Sequence, residues 1–125
     1  MSNNICWYQK ECIDSMNKFE DECIKNQEIQ PHYASFLELL DLCGYGKLLD
    51  IGTGTARISQ FCKRFDFVGA DLPNIISGCA MRNYPKYKYQ SIDIIEDNLA
   101  WIREYDVIVL NGVIDVMQNG LYILE

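Results

Sequence analysis

The sequence of 125 residues has few basic residues, with 11 Lys and Arg against 18 Asp and Glu and a formal net charge of −7. Proteins that bind duplex nucleic acid need a surplus of basic side chains to neutralise phosphates. The composition therefore predicts no duplex nucleic acid partner.

Long apolar runs and metal-ligand motifs are also missing. No window has the roughly 20 apolar residues that span a bilayer, and no charged leader precedes an apolar run. We therefore expect a cytoplasmic protein with no membrane partner. The six cysteines form no CxxC pair and His32 is the sole histidine, so no metal site is predicted and the thiols are expected to be reduced.

The hydrophobic fraction of 49% is enough to build the core of one domain. Apolar residues at helical spacing predict two helices, within 5–27 and from Pro31 to just before Gly44. Short apolar runs then alternate with helical patterns, which indicates βαβ units. The predicted strands are 47–51, 66–70, 87–92 and 106–110, and the predicted helices lie at 58–65, 73–82, 95–103 and from 113 onward. We predict an α/β fold with a doubly wound, mostly parallel sheet, in which residues 1–46 form a helical cap and residues 47–125 form the ligand-binding part.

The segment LLDIGTGTARIS, residues 48–59, places glycines directly after the first predicted strand. Glycine adopts positive φ and lets a ligand approach the backbone. The N–H groups at the start of a following helix attract an anionic group. The segment therefore predicts a loop that binds a ligand with a carboxylate or a phosphate.

Small or acidic residues end all four predicted strands. Asp50 and Gly52 follow the first strand, and Asp71, Asp93 and Asn111 follow the others. Each acid could instead cap the next helix, and both roles stay open. Since ligands of open parallel sheets collect beyond the carboxyl ends of the strands, one shared ligand explains the pattern more economically than independent capping.

Four segments together resemble the motifs of class I S-adenosylmethionine-dependent methyltransferases: LLDIGTGTARIS, VGADLP, SIDII and YDVIVLNGVIDVM. Their order and spacing match over roughly residues 33–120. The resemblance implies a Rossmann-like fold, S-adenosylmethionine as cofactor and methyl transfer to a small-molecule acceptor. One departure is Ala56 at the third glycine of the motif, followed by Arg57, which we expect to face solvent or to bind the cofactor carboxylate.

The resemblance also implies which residues would bind the methionine half of the cofactor. Asp50 would hold the loop and reach the amino group, directly or through water. Five residues would lie along the methionine part, mainly through their backbone: Gly52, Thr53, Gly54, Asn111 and Gly112.

For the adenosine half, Asp71 would bind the ribose hydroxyls and Leu72 would pack against adenine. Asp93 and Ile94 would lie at the adenine edge, and Asp115 is the candidate for substrate contact. Methyl transfer depends on alignment more than on a side-chain nucleophile, so no catalytic residue is assigned.

The sheet of this family has seven strands, whereas four are predicted here. We expect the chain to be a fragment whose missing half covers the fourth strand. The alternatives are pairing with a second chain, such as a homo-oligomer, and a remnant that binds the cofactor without catalysis. A further alternative is an NAD-dependent oxidoreductase, because G-x-G with a later acid also serves dinucleotides.

Overall fold

A computed structural model describes residues 10–26, 31–93 and 97–110, without the side chains of 31–34. Two helices come first, α1 (Lys10–Asn26) and α2 (Pro31–Cys43). Four strands follow: β1 (Gly46–Ile51), β2 (Phe65–Asp71), β3 (Lys88–Ser91) and β4 (Val107–Val109). Short 3-10 helices precede β2 and β4, at Arg57–Phe61 and Ala100–Glu104. Between β2 and β3, α3 (Pro73–Ile75), a π-helical turn (Ile76–Ala80) and α4 (Met81–Asn83) form one continuous helical segment, 73–83.

The four strands form one sheet in the order β3-β2-β1-β4, and every neighbouring pair is parallel. Leu48 of β1 lies opposite Phe67 of β2 on one side and Val107 of β4 on the other. Helical segments connect the strands, as parallel neighbours require. The predicted α/β fold with N-terminal helices and a parallel sheet is therefore confirmed.

The core lies on both faces of β1, because successive side chains of a strand point to opposite faces. Leu48 packs in a cluster that includes Leu40 of α2 and Ile58. The next residue, Leu49, packs in a second cluster that Trp101 contacts from the other face. Both leucines are fully buried, and each stabilises the fold by about 1.5–3 kcal/mol. The apolar run of β1 thus reflects a strand covered on both sides.

The predicted helix at 58–65 is wrong in type and length. The segment Arg57–Phe61 is a 3-10 helix of five residues, and Phe65 is the first residue of β2, paired with Gly46. Phe65 is buried in the same cluster as Ile58, so its apolar character serves the sheet rather than a helix. The described part of the predicted helix at 95–103 is likewise short, with a 3-10 helix at Ala100–Glu104.

The described residues were compared with the predictions on membrane spans, metal sites and thiols. None of their helices is long and apolar enough to cross a membrane. Within the same ranges, no three His, Cys, Asp or Glu side chains are grouped so that they could hold a metal ion. The five cysteines in these ranges form no disulfide with one another.

Candidate functional site

The loop after β1 adopts a left-handed backbone at three alternate positions. Gly52 has φ 77°, Gly54 has φ 57° and Ala56 has φ 65°. For an alanine this conformation costs roughly 1–2 kcal/mol. The Ala56 side chain is fully buried against Ile76 and Ala80, which offsets part of that cost. The G-x-G motif is therefore required by the path of the chain, whatever the loop binds.

The N–H groups of this loop are directed into the protein. Those of Gly52 and Thr53 both donate to the Ala70 carbonyl, at 2.8 and 3.0 Å. The N–H of Gly54 donates to Asp71 Oδ2 at 2.9 Å. With these donors satisfied internally, the loop has little capacity to bind an anion through its backbone.

Asp71, at the end of β2, accepts hydrogen bonds with both carboxylate oxygens. Oδ2 accepts the N–H of Gly54, and Oδ1 accepts the N–H of Leu72 at 2.8 Å. Burial raises the pKa of Asp71, and these two hydrogen bonds oppose the rise. No side-chain hydrogen bond caps the helix that begins at Pro73. Asp71 thus holds the glycine loop instead of capping that helix, and ribose binding stays a prediction.

Asp50 lies beneath the loop and is only 1% exposed. Burial raises its pKa to about 7, with a smaller upward contribution from the charge of Asp71, whereas the Thr53 hydroxyl lowers it. In the described part of the chain, neither Thr53 Oγ1 nor Asp50 Oδ2 has a hydrogen-bond partner. The buried Asp50 and the half-buried Asp71 thus both lie near the carboxyl ends of neighbouring parallel strands.

Two of the residues expected near adenine have described environments. Leu72 is 5% exposed and packs in a cluster with Ile13 and Met16 of α1. The Asp93 N–H donates to Asp97 Oδ2 at 2.8 Å, and the Asp97 N–H donates to the Asp93 carbonyl at 2.9 Å. Their roles at adenine stay predictions. Four further site predictions lie outside the described residues: Ile94, Asn111, Gly112 and Asp115.

An open cleft of about 370 Å³ separates α1 from the glycine loop. Six residues line it, none of them basic: Ser15, Met16, Phe19, Thr53, Gly54 and Thr55. The sheet order reverses between β1 and β4, and ligands of open parallel sheets bind at such a reversal, beyond the carboxyl ends of the strands. The cleft adjoins the loop of β1 at this edge of the sheet.

The sequence interpretation missed Glu20 of α1, which is 0% exposed. Its carboxylate accepts hydrogen bonds from Thr55 Oγ1 at 2.7 Å, from Arg57 Nη1 at 3.0 Å and from the Tyr84 hydroxyl at 2.6 Å. Phe19, one of the apolar residues whose helical spacing predicts the first helix, is instead 51% exposed. A signal was present, because Glu20 follows Met16 by four residues, and positions four apart share a helix face.

Arg57 does not face solvent as expected. Its side chain is 13% exposed and pairs with Glu20 at 3.0 Å, and Glu20 also accepts the Tyr84 hydroxyl. The guanidinium charge is therefore compensated within the protein. The other expectation, a bond to a cofactor carboxylate, would compete with this buried pair.

Comparison of the chain with protein-family models, with curated proteins and with solved structures found no match. The structure defines a small α/β domain with a four-stranded, all-parallel sheet. Its candidate site comprises the glycine loop, the acids Asp50 and Asp71, and the cleft beneath α1.

Proposed function

We propose that the chain binds S-adenosylmethionine at the carboxyl edge of the sheet and serves methyl transfer to a small-molecule acceptor. The two carboxyl groups beside the glycine loop, those of the buried Asp50 and the half-buried Asp71, carry this proposal. Each has a raised pKa, because burial disfavours its charge. A positively charged ligand such as a sulfonium would stabilise both ionised carboxylates.

The arrangement of the sheet supports the same ligand. The order β3-β2-β1-β4 is the order of the first half of Rossmann-like sheets, which bind nucleotide-containing ligands where the order reverses. The loop of β1, with Gly52 and Gly54, flanks this reversal. The four strands correspond to the four segments that resemble class I methyltransferases.

The loop favours a cation over a dinucleotide. The pyrophosphate of NAD is bound through free N–H groups at the start of a helix. Here the N–H groups of Gly52, Thr53 and Gly54 have internal acceptors, and the helix that follows is a 3-10 helix of five residues. The oxidoreductase alternative is therefore less well supported than S-adenosylmethionine.

Asp50 and Asp71 would act mainly through their charge. Asp50 is too deeply buried for direct contact with a ligand unless the loop moves, whereas Thr53 and Gly54 line the cleft. Bound S-adenosylmethionine would supply an electrophilic methyl group for the acceptor nucleophile, with its sulfur released as a neutral thioether. Holding the two reactants in line supplies most of the acceleration in such a step.

Isothermal titration calorimetry of the full chain tests the proposal with S-adenosylmethionine and NAD in parallel. We expect S-adenosylmethionine to bind and NAD to give no heat at the same concentrations. Asp71→Ala should abolish binding, and the exposed Asp66 of the same strand supplies the control Asp66→Asn. Tighter binding of NAD, or no binding of S-adenosylmethionine, would contradict the proposal. Binding without any methyl transfer would indicate a binding module.

A further inference from the structure

Helix α1 is attached to the domain by apolar and polar contacts. Ile13 and Met16 pack against the apolar cluster that contains Leu72, and Asn17 Nδ2 donates to the Gly78 carbonyl in the π-helical turn at 2.8 Å. Of the 17 residues of α1 only Glu20 and Cys23 are buried, and the Asp21–Arg82 ion pair is exposed at the surface. Glu20 is therefore a fully enclosed polar anchor of α1.

Two of the three groups that Glu20 binds belong to residues within three positions after Gly54 in the chain. Thr55 donates its hydroxyl to Oε1, and Arg57 donates to Oε2. The third donor is the hydroxyl of Tyr84, the residue that follows the helical segment 73–83. The position of α1 is thereby coupled to the glycine loop.

Helix α1 also covers the loop with Met16, one helical turn before Glu20. A Cβ atom at Gly54 would lie 3.1 Å from Met16 Cε, so this side chain lies directly over the loop backbone. Met16 and Phe19 of α1 also line the cleft, opposite Thr53 and Thr55. Helix α1 therefore forms one wall of the cleft and also holds the glycine loop, which forms the opposite wall.

We propose that Glu20 is a positioning residue that determines the charge preference of this site. It holds the loop beneath α1 and neutralises Arg57, so that the field at the cleft is set by Asp50 and Asp71. This inference rests on the proposed function. An uncompensated guanidinium beside the loop would oppose a positively charged ligand and would favour a neutral or anionic one.

The dissociation constants of S-adenosylmethionine and of its neutral thioether S-adenosylhomocysteine test the charge effect. Glu20→Gln leaves Arg57 uncompensated, and we expect it to weaken S-adenosylmethionine relative to the thioether on the order of tenfold. Arg57→Gln should change the ratio in the opposite direction. The double variant Glu20→Gln/Arg57→Gln should restore the wild-type ratio, and Asp21→Asn, from the exposed ion pair of the same helix, is the matched control.

A purely structural role would weaken both ligands by the same factor and leave the ratio unchanged, which would overturn the charge assignment. Amide hydrogen exchange in the ligand-free protein tests the positioning directly. We expect the Gly54 and Ala56 amides to exchange faster in Glu20→Gln than in Asp21→Asn; equal rates would overturn the positioning role. Failure of the wild type to bind either ligand would refute the proposed function, and the exchange comparison would still decide the role of Glu20.

Discussion

The carboxylate of Asp71 accepts the N–H of Gly54 at 2.9 Å. The end of β2 thus holds the loop that follows its neighbouring strand β1. Asp71, which the sequence predicts to bind a ligand, therefore also stabilises the glycine loop. Loss of this side chain should therefore affect both stability and binding.

Asp71→Asn is expected to destabilise the protein by about 1–3 kcal/mol, because the amide offers one acceptor oxygen where two N–H groups need partners. The second N–H, from Gly54 or Leu72, would face the amide NH₂ group. Urea denaturation followed by circular dichroism measures the free energy of unfolding. Asp66→Asn, on the same strand but exposed, should change it by less than about 0.5 kcal/mol. Equal effects of the two substitutions would contradict this role of Asp71.

The raised pKa of Asp50 predicts an unusual pH dependence of stability. Burial keeps the pKa of Asp50 at about 7 in the folded protein, whereas the ordinary pKa of an aspartate, 3.8, applies to the unfolded chain. Between these values the folded state binds the extra proton, so Asp50 makes stability fall as pH rises from about 4 to about 7. The full effect is on the order of 4 kcal/mol.

Asp50→Asn removes this titration. We therefore expect the variant to gain stability relative to the wild type as pH increases from about 5 to about 8. Urea denaturation of both proteins at the two pH values measures the difference. If the two unfolding free energies stay parallel across this range, Asp50 does not titrate as proposed.

Gly69 of β2 provides the space in which Thr53 and Tyr89 lie. A Cβ atom at this position would be 2.9 Å from Thr53 Cγ2 and 2.9 Å from the Tyr89 ring. Gly69→Ala should therefore cost about 1–3 kcal/mol through overpacking. The cost, measured by denaturation, should be smaller in a Thr53→Ser background, which lacks the methyl group. An equal cost in both backgrounds would show that the contact with Thr53 does not matter.

The sequence was sufficient to predict the parallel α/β sheet, because the run that contains Leu48 and Leu49 is apolar on both faces of β1. It was insufficient for the helix before β2. Phe65 continues the helical spacing of Ile58, yet pairing with Gly46 draws it into the sheet. Local periodicity cannot show that Phe65 belongs to a strand rather than a helix, because its partner Gly46 is 19 residues away in the chain.

The binding roles of the site residues stay predictions, but the sequence does predict which of them come together. Gly52, Gly54 and Asp71 do lie together, as parallel strands that end at one edge require. Glu20 could not be found by a search for apolar side chains, because a buried carboxylate depends on donors from distant parts of the chain. Its partners Thr55 and Arg57 lie 35 and 37 residues away.

The most direct test of the central claim compares S-adenosylmethionine with S-adenosylhomocysteine at about pH 8 and about pH 5.5, on either side of the Asp50 pKa of about 7. The two ligands differ by one methyl group and the positive charge on sulfur. If buried carboxylates favour the sulfonium, calorimetry should show a preference for S-adenosylmethionine at the higher pH that decreases at the lower pH, with a weaker pH dependence in Asp50→Asn. Equal affinities at both pH values, or a preference for the thioether throughout, would contradict the account.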